Sequence, residues 1–242
     1  MNLCIDQGNT NTKIAIFDQD NIVDLSVYEN PDLQVFKRIF ESHPVEHTIL
    51  SSVINHQDDL LSFLKHSKKF FLLDHHTPLP VINRYKTPET LGKDRLAAVV
   101  GAASIQKNAD ILVIDVGTAI TYDFINAEGV YTGGDITPGI DLRLKSLHHF
   151  TQRLPQVEFD EQVSFMGTNT TTAIQSGVLY GIVSEIDGYI NRLMQKYPKL
   201  SVFLTGGDAV YFEKRLKSSI FANKNLVLIG LNRILEYNVK NS

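Results

Sequence analysis

The 242-residue chain is 43% hydrophobic and 21% charged, with a formal net charge of -4. Such a length suits one large domain or two of about 110–130 residues, with enough apolar content for a core. The lack of a long basic run argues against nucleic acid as a partner, the single cysteine excludes an internal disulfide, and no apolar run approaches the roughly 18 residues of a membrane span. The N-terminus does not read as a signal peptide, so the cytoplasm is the expected location, without membrane association.

The apolar pattern predicts strands over 2–7, 12–18 and 22–28, then a helix over 32–42 with Leu33, Phe36, Ile39 and Phe40 at helical spacing. A strand over 47–53, a helix over 57–66 and a strand over 69–73 follow. Three meander strands and then alternating helix and strand imply a mixed sheet with helices on its faces. Residues 74–90 carry Pro78, Pro80 and Pro88 and are expected to form a surface loop near an interdomain cleft, with a short extended Val81-Ile82. The helix over 91–106 contains Ala97-Ala98-Val99-Val100-Gly101-Ala102-Ala103, small enough to pack closely on the sheet.

The second half repeats the opening: strands over 111–116, 119–126 and 129–133, then a helix after Pro138-Gly139. A long helix near 168–197 has Thr168, Asn169 and Thr170 as candidate caps. A strand over 201–205, a helix after Gly206-Gly207-Asp208, a short strand over 226–228 and a final helix complete the chain. One helix–strand step is missing from this half. The boundary is expected near Asp110, giving domains 1–110 and 111–242.

Two segments share one design. Asp6-Gln7-Gly8-Asn9-Thr10-Asn11-Thr12-Lys13 and Asp115-Val116-Gly117-Thr118-Ala119-Ile120-Thr121 each join two apolar runs. Strand, acid, glycine, hydroxyl turn and strand make a hairpin with a polar tip. Glycine admits a positive φ and close approach of another group. Hydroxyls and turn N–H groups can cradle phosphate oxygens, and the aspartate can hold a cation. On this reading Asp6 stands near Mg²⁺, Asn9, Thr10, Thr12 and Lys13 stand near the β- and γ-phosphates, and Asp115 is the second cation ligand. Each hairpin alone is also ordinary turn chemistry; the duplication favours two halves facing one nucleotide. G-x-x-x-x-G-K-[ST] is absent, which counts against a P-loop enzyme.

Gly92-Lys93-Asp94-Arg95 could be a dipole-favoured acid and a surface pair. Following the proline-rich connector, it also suits a general base for a substrate hydroxyl, with Arg95 forking onto a carboxylate or phosphoryl group. Gly133-Gly134-Asp135-Ile136-Thr137-Pro138-Gly139 is a tight connection or a wall for a ligand. Thr205-Gly206-Gly207-Asp208-Ala209 offers a flat backbone for adenosine at a helix start, or only a cap at Asp208. The pairs His75-His76 and His148-His149 form no metal set, since neighbours on a strand or helix point apart, and no zinc spacing or G-x-S-x-G elbow occurs.

In order and spacing these motifs resemble type III pantothenate kinases, of the acetate kinase–sugar kinase–Hsp70–actin superfamily. The resemblance rests on residues 6–13, 92–95, 115–121 and 133–139, then Thr151 with Leu154-Pro155, Asn169-Thr170 with Gln175-Ser176-Gly177, and 205–209. It implies an α/β fold of two ribonuclease H-like (actin-like ATPase) domains, each a mixed sheet led by a β-hairpin. It implies ATP-dependent phosphorylation of pantothenate, the first step towards coenzyme A, by a homodimer using Mg²⁺-ATP and a monovalent cation, K⁺ or NH₄⁺. By the same resemblance Asp94 is the catalytic base and Asp115 binds the monovalent cation. Residues 6–13 (Asp6, Gln7, Gly8, Asn9, Thr10, Asn11, Thr12 and Lys13), Thr118, Gly206 and Gly207 hold ATP. Tyr85, Gly92, Lys93, Asp94, Arg95 and Thr170 contact pantothenate. Two alternatives remain: another small-molecule kinase or phosphatase of the superfamily, and a catalytically silent regulatory homologue.

Overall fold

A computed structural model describes residues 1–8, 10–53 and 58–241. In chain order the elements are β1 (Asn2–Gln7), β2 (Thr12–Asp18), β3 (Asn21–Tyr28), α1 (Leu33–Ser42), β4 (His47–Ser52), α2 (Asp58–Leu64), β5 (Lys69–Leu72), β6 (Ile82–Asn83) and α3 (Lys93–Ile105). There follow β7 (Ile111–Val116), β8 (Ala119–Ile125), β9 (Val130–Pro138), α4 (Ile140–His149), α5 (Thr170–Lys196), β10 (Ser201–Thr205), β11 (Phe221–Ala222) and α6 (Leu226–Lys240). Two compact units result, one of residues 1–108, 128–132 and 225–242, the other of residues 109–127 and 133–224. Among the described residues no helix is long and apolar enough to cross a membrane.

The first unit is built on a sheet of order β3-β2-β1-β4-β5. Leu3 and Ile5 of β1 and Ile14 and Ile16 of β2 point to one face, because strand side chains alternate. There they meet Val35, Phe36 and Ile39 of α1. Asp32 caps that helix, its carboxylate accepting the Val35 N–H at 3.1 Å. α6 packs on β1 and β4, and on α3. That helix pair is close enough that a Cβ at Gly230 would lie 1.7 Å from the Ala97 carbonyl. The small-residue run of α3 therefore serves a helix–helix contact, where a sheet contact was expected. Buried Cys4 is a core residue; burial and then nearby Glu236 push its thiol up.

Among the described residues the second sheet has six strands, of which β9-β8-β7-β10-β11 repeat the order of the first sheet and β6 is added beside β9. α5 presents Ile174, Val178, Leu179, Ile182, Ile186 and Ile190 at helical spacing to Leu112, Ile114, Tyr122 and Leu204. Asn169 opens the helix with a capping box, accepting the Thr172 N–H at 2.9 Å.

Several sequence expectations need correction. The helix expected after Gly206 is a single 3₁₀ turn, Ala209–Tyr211. Phe212 turns into the core there, and the Lys217 N–H is drawn to the Asp187 carboxylate at 3.1 Å. Asp208 makes no side-chain cap bond. The expected strand 226–228 is the first turn of α6, whose Leu226, Val227 and Leu228 are all buried, so the local apolar run mimics a strand. Because α6 packs on α3, residues 225–242 join the first unit, although the boundary at 110 assigns them to the second domain. β9 continues to Pro138. The His75 and His76 rings do not point apart; their centroids are 3.8 Å apart, since Asp74 closes a turn by accepting the His76 and Thr77 N–H groups.

Candidate functional site

In the first unit the candidate residues gather at the carboxyl ends of parallel neighbours β1 and β4, the usual ligand edge of an open α/β sheet. Asp6 lies opposite Lys13 in β2 and beside Ser51 in β4. Gln7 accepts from Ser52 Oγ at 3.1 Å through its side chain and from the Val53 N–H at 3.1 Å through its carbonyl. Thr12 is buried beneath the turn while Thr10 and Asn11 are exposed at its tip, and the Gly8 N–H closes the loop on the Asn11 carbonyl at 3.0 Å. Asn9 lies outside the described residues.

The start of α3 is fastened to this edge. Lys93 Nζ donates to the Ser52 carbonyl at 3.2 Å. Asp94 is in the first helical turn, where the dipole favours an anion, and its Oδ1 accepts the Arg95 N–H at 2.9 Å. A Cβ at Gly92 would lie 2.6 Å from Asp94 Oδ1, so a side chain there would displace that carboxylate. Arg95 is 6% exposed, with its guanidinium 5.8 Å from the Tyr85 ring centroid. Tyr85 stacks on fully buried Tyr131 at 6.2 Å, and pairing of β6 with the start of β9 fixes that stack. The structure thus joins residues 92–95 to the first hairpin and to Tyr85.

In the second unit Asp115 lies opposite Thr121 in β8 and beside Thr205 in β10. Thr118 is exposed at the tip. Gly139 donates its N–H to the Thr118 carbonyl at 3.0 Å, and the Asp208 N–H reaches the Val116 carbonyl at 3.0 Å. Gly206 takes φ +101, and a Cβ there would meet the Val116 carbonyl at 2.2 Å. The space above Gly207 is open. Asp115, Thr118, Gly206 and Gly207 therefore share one edge. Burial, and then Asp141, push the Asp208 carboxyl up.

Thr170 belongs to a different part of this unit. It is exposed in the first turn of α5, on a cavity of about 760 Å³ that Arg143, Leu147, Leu154 and Gly177 also line. Sequence reasoning missed Ser52, Tyr131, Arg143 and Glu185. Ser52 and Tyr131 are invisible without strand pairing. Glu185 left a faint signal, an acid three residues after Ile182 and one before Ile186 on the apolar stripe of a long helix.

The profile of the type III pantothenate kinase family matches residues 2–192. A type III pantothenate kinase of Bacteroides fragilis is 50% identical over 239 residues, covering 98% of each chain. Another, of Phocaeicola vulgatus, is 48% identical over 246 residues, covering 99% of this chain and 100% of its own. Among solved structures, a ROK hexokinase of Thermus thermophilus aligns with a TM-score of 0.55 at 14% identity, over 99% of each chain. At that identity the likeness shows the fold alone, that of the actin-like ATPases and sugar kinases.

Proposed function

The chain belongs to the type III pantothenate kinase family, and we propose that the residues gathered at its two strand edges perform that family's reaction. It is a pantothenate kinase, using ATP with a divalent metal to phosphorylate pantothenate on the route to coenzyme A. The observation that carries the assignment of residues is the 3.2 Å bond from Lys93 to the Ser52 carbonyl, which supports Asp94 acting beside the Asp6 hairpin.

The primary hydroxyl of pantothenate attacks the γ-phosphorus in line as the bond to the β,γ-bridging oxygen breaks, giving 4'-phosphopantothenate and ADP, with catalysis mostly by positioning and charge neutralisation. Asp94 accepts the hydroxyl proton. Arg95, stacked on Tyr85, holds the pantothenate carboxylate, and Gly92, Lys93 and Thr170 complete the acceptor contacts. The tip residues of the first hairpin with Lys13, and Thr118 of the second, bind the phosphates. Gly206 and Gly207 lie against adenosine. Among the described residues no group of three His, Cys, Asp or Glu could hold a metal. Mg²⁺ takes one or two carboxylates and completes its shell with phosphates and water, a donor set that the Asp6 carboxylate fits. Asp6 would hold Mg²⁺ and Asp115 would hold K⁺ or NH₄⁺; bound there, these cations would neutralise phosphate charge. The enzyme works as a homodimer in the cytoplasm.

Coupled ADP release should appear with pantothenate, be stimulated by potassium and be absent with acetate or glucose. Turnover of acetate or glucose in place of pantothenate would establish another kinase of the superfamily, and no turnover of any of them a silent homologue. Asp115→Asn should abolish the potassium dependence or the activity itself; a fully active, still potassium-stimulated variant removes Asp115 from the role.

A further inference from the structure

The second unit holds a polar network that the reaction does not directly use. Glu185 on α5 follows fully buried Ile182 and precedes fully buried Ile186, yet its carboxylate collects donors from three other elements. Tyr122 Oη of β8 and Thr137 Oγ1 of β9 each donate to Oε1 at 2.8 Å. Arg143 Nη2 of α4 donates to Oε2 at 2.7 Å. Both charged side chains are largely buried, 20% exposed for Arg143 and 24% for Glu185. Hydrogen bonds of this kind, with one partner ionised, are short and strong.

Arg143 then reaches towards the tip of the second hairpin. Its Nε donates to the Pro138 carbonyl at 2.7 Å. The next residue, Gly139, donates to the Thr118 carbonyl at 3.0 Å. The fit there is close: a Cβ at Gly139 would lie 2.0 Å from the Gly117 carbonyl. Hydrogen bonds and two adjacent residues thus connect Glu185 to Thr118 without a gap. An apolar residue at 185 could pack beneath Tyr122 without the cost of desolvating a charge. What the ion pair supplies instead is direction. It fixes the corner where β9 gives way to α4, and that corner is the wall against which the tip rests.

We propose that Glu185 is a positioning residue of the second hairpin, acting through Arg143, the Pro138 carbonyl and the Gly139 N–H to hold Gly117 and Thr118 where nucleotide phosphate binds. This rests on the phosphate-binding reading of that hairpin. Glu185→Gln keeps the shape and one acceptor but turns an amide NH₂ towards Arg143. Arg143→Lys keeps the charge but replaces the fork with a single ammonium, which cannot serve Glu185 and Pro138 in the same geometry.

The test is calorimetric titration of the full chain with Mg²⁺ and a non-hydrolysable ATP analogue, and separately with pantothenate, alongside steady-state kinetics. For Glu185→Gln the analogue should bind about tenfold more weakly with the ATP KM rising in step, while pantothenate affinity and kcat stay within about threefold. Arg143→Lys should weaken the analogue and raise the ATP KM by about threefold, and it carries the nucleotide half of the test if Glu185→Gln does not accumulate as folded protein; pantothenate is read on Glu185→Gln alone, because Arg143 lines the cavity of Thr170. Equal weakening of both ligands, or a lower melting temperature with nucleotide affinity unchanged, would show a merely structural pair and overturn the proposal. Thr118→Val separates the two levels. If it leaves nucleotide affinity intact, the phosphate reading fails and the proposal with it; if it weakens binding while Glu185→Gln and Arg143→Lys do not, only the positioning role falls.

Discussion

Asp6 and Asp115 occupy the same place in two hairpins. Each lies one residue before the end of its strand, opposite a residue of the antiparallel partner and beside a hydroxyl of the parallel one, Ser51 or Thr205. In each case the next residue's carbonyl accepts an N–H from the chain leaving that parallel strand, Val53 at 3.1 Å or Asp208 at 3.0 Å. The tips then diverge. The first hairpin runs from Gln7 to Thr12, with the Gly8 N–H on the Asn11 carbonyl and Lys13 across from the acid. The second tip is only Gly117 and Thr118, held by Gly139, with Gly206 packed on the strand end at Val116 and Thr121 across from the acid. One backbone plan has thus been finished once for reach and positive charge, and once for rigidity. Each edge also receives an acid-bearing helix start, but α3 with Asp94 is fastened through the Lys93 side chain and α4 with Asp141 through the Gly139 N–H.

That last difference gives the largest expected effect. Asp94→Asn should cut turnover by about 10²-fold or more while leaving pantothenate binding within about tenfold, read by coupled ADP release and calorimetry. Undiminished turnover would remove the acid–base asymmetry between the units. Glycine replacement tests the contrast in rigidity. Gly206→Ala forces a side chain into a positive φ and onto the Val116 carbonyl, so a loss of about 2 kcal/mol or more, a fall of roughly 5 °C in melting temperature, is expected. Gly8→Ala meets only the Asn11 carbonyl at 3.3 Å and should cost less than about 1 kcal/mol. Equal losses at the two sites would erase the distinction.

Charge comes next. Lys13→Thr gives the first hairpin the residue of the second, and should raise the ATP KM about tenfold with pantothenate KM unchanged. The smallest effect is on pH dependence. Burial pushes the Glu185 carboxyl up, but hydrogen bonds from Arg143, Thr137 and Tyr122 together outweigh it and hold the group below the usual range. A depressed folded value means its stabilisation is complete above the unfolded value of about 4.3 and fades as pH falls through the lower folded one. The melting-temperature gap between wild type and Glu185→Gln should therefore be constant near neutrality and narrow below about pH 4. A gap that widens on acidification would contradict the network's charge state.

Much of this was legible in the chain itself. Short apolar runs placed β1, β2, β7 and β10 to the residue, because each strand is buried over most of its length and ends at an acid or a turn. The repeated acid–glycine–hydroxyl pattern announced two related halves, and the common strand order of the two sheets agrees with it. Residues 92–95 stood out by their place after the proline-rich connector. Local pattern could not show that Ser52 ends beside Gln7, that Tyr131 lies under Tyr85, or that Arg143 and Glu185 brace a loop they are distant from in sequence. It also misread residues 226–228 as a strand and placed α6 with the wrong half. Periodicity records which face of an element is buried, and hydroxyls and acids record what a turn can bind. Which element does the burying depends on contacts between residues far apart in the chain, such as Gly230 against Ala97, and those exist only once the chain has folded.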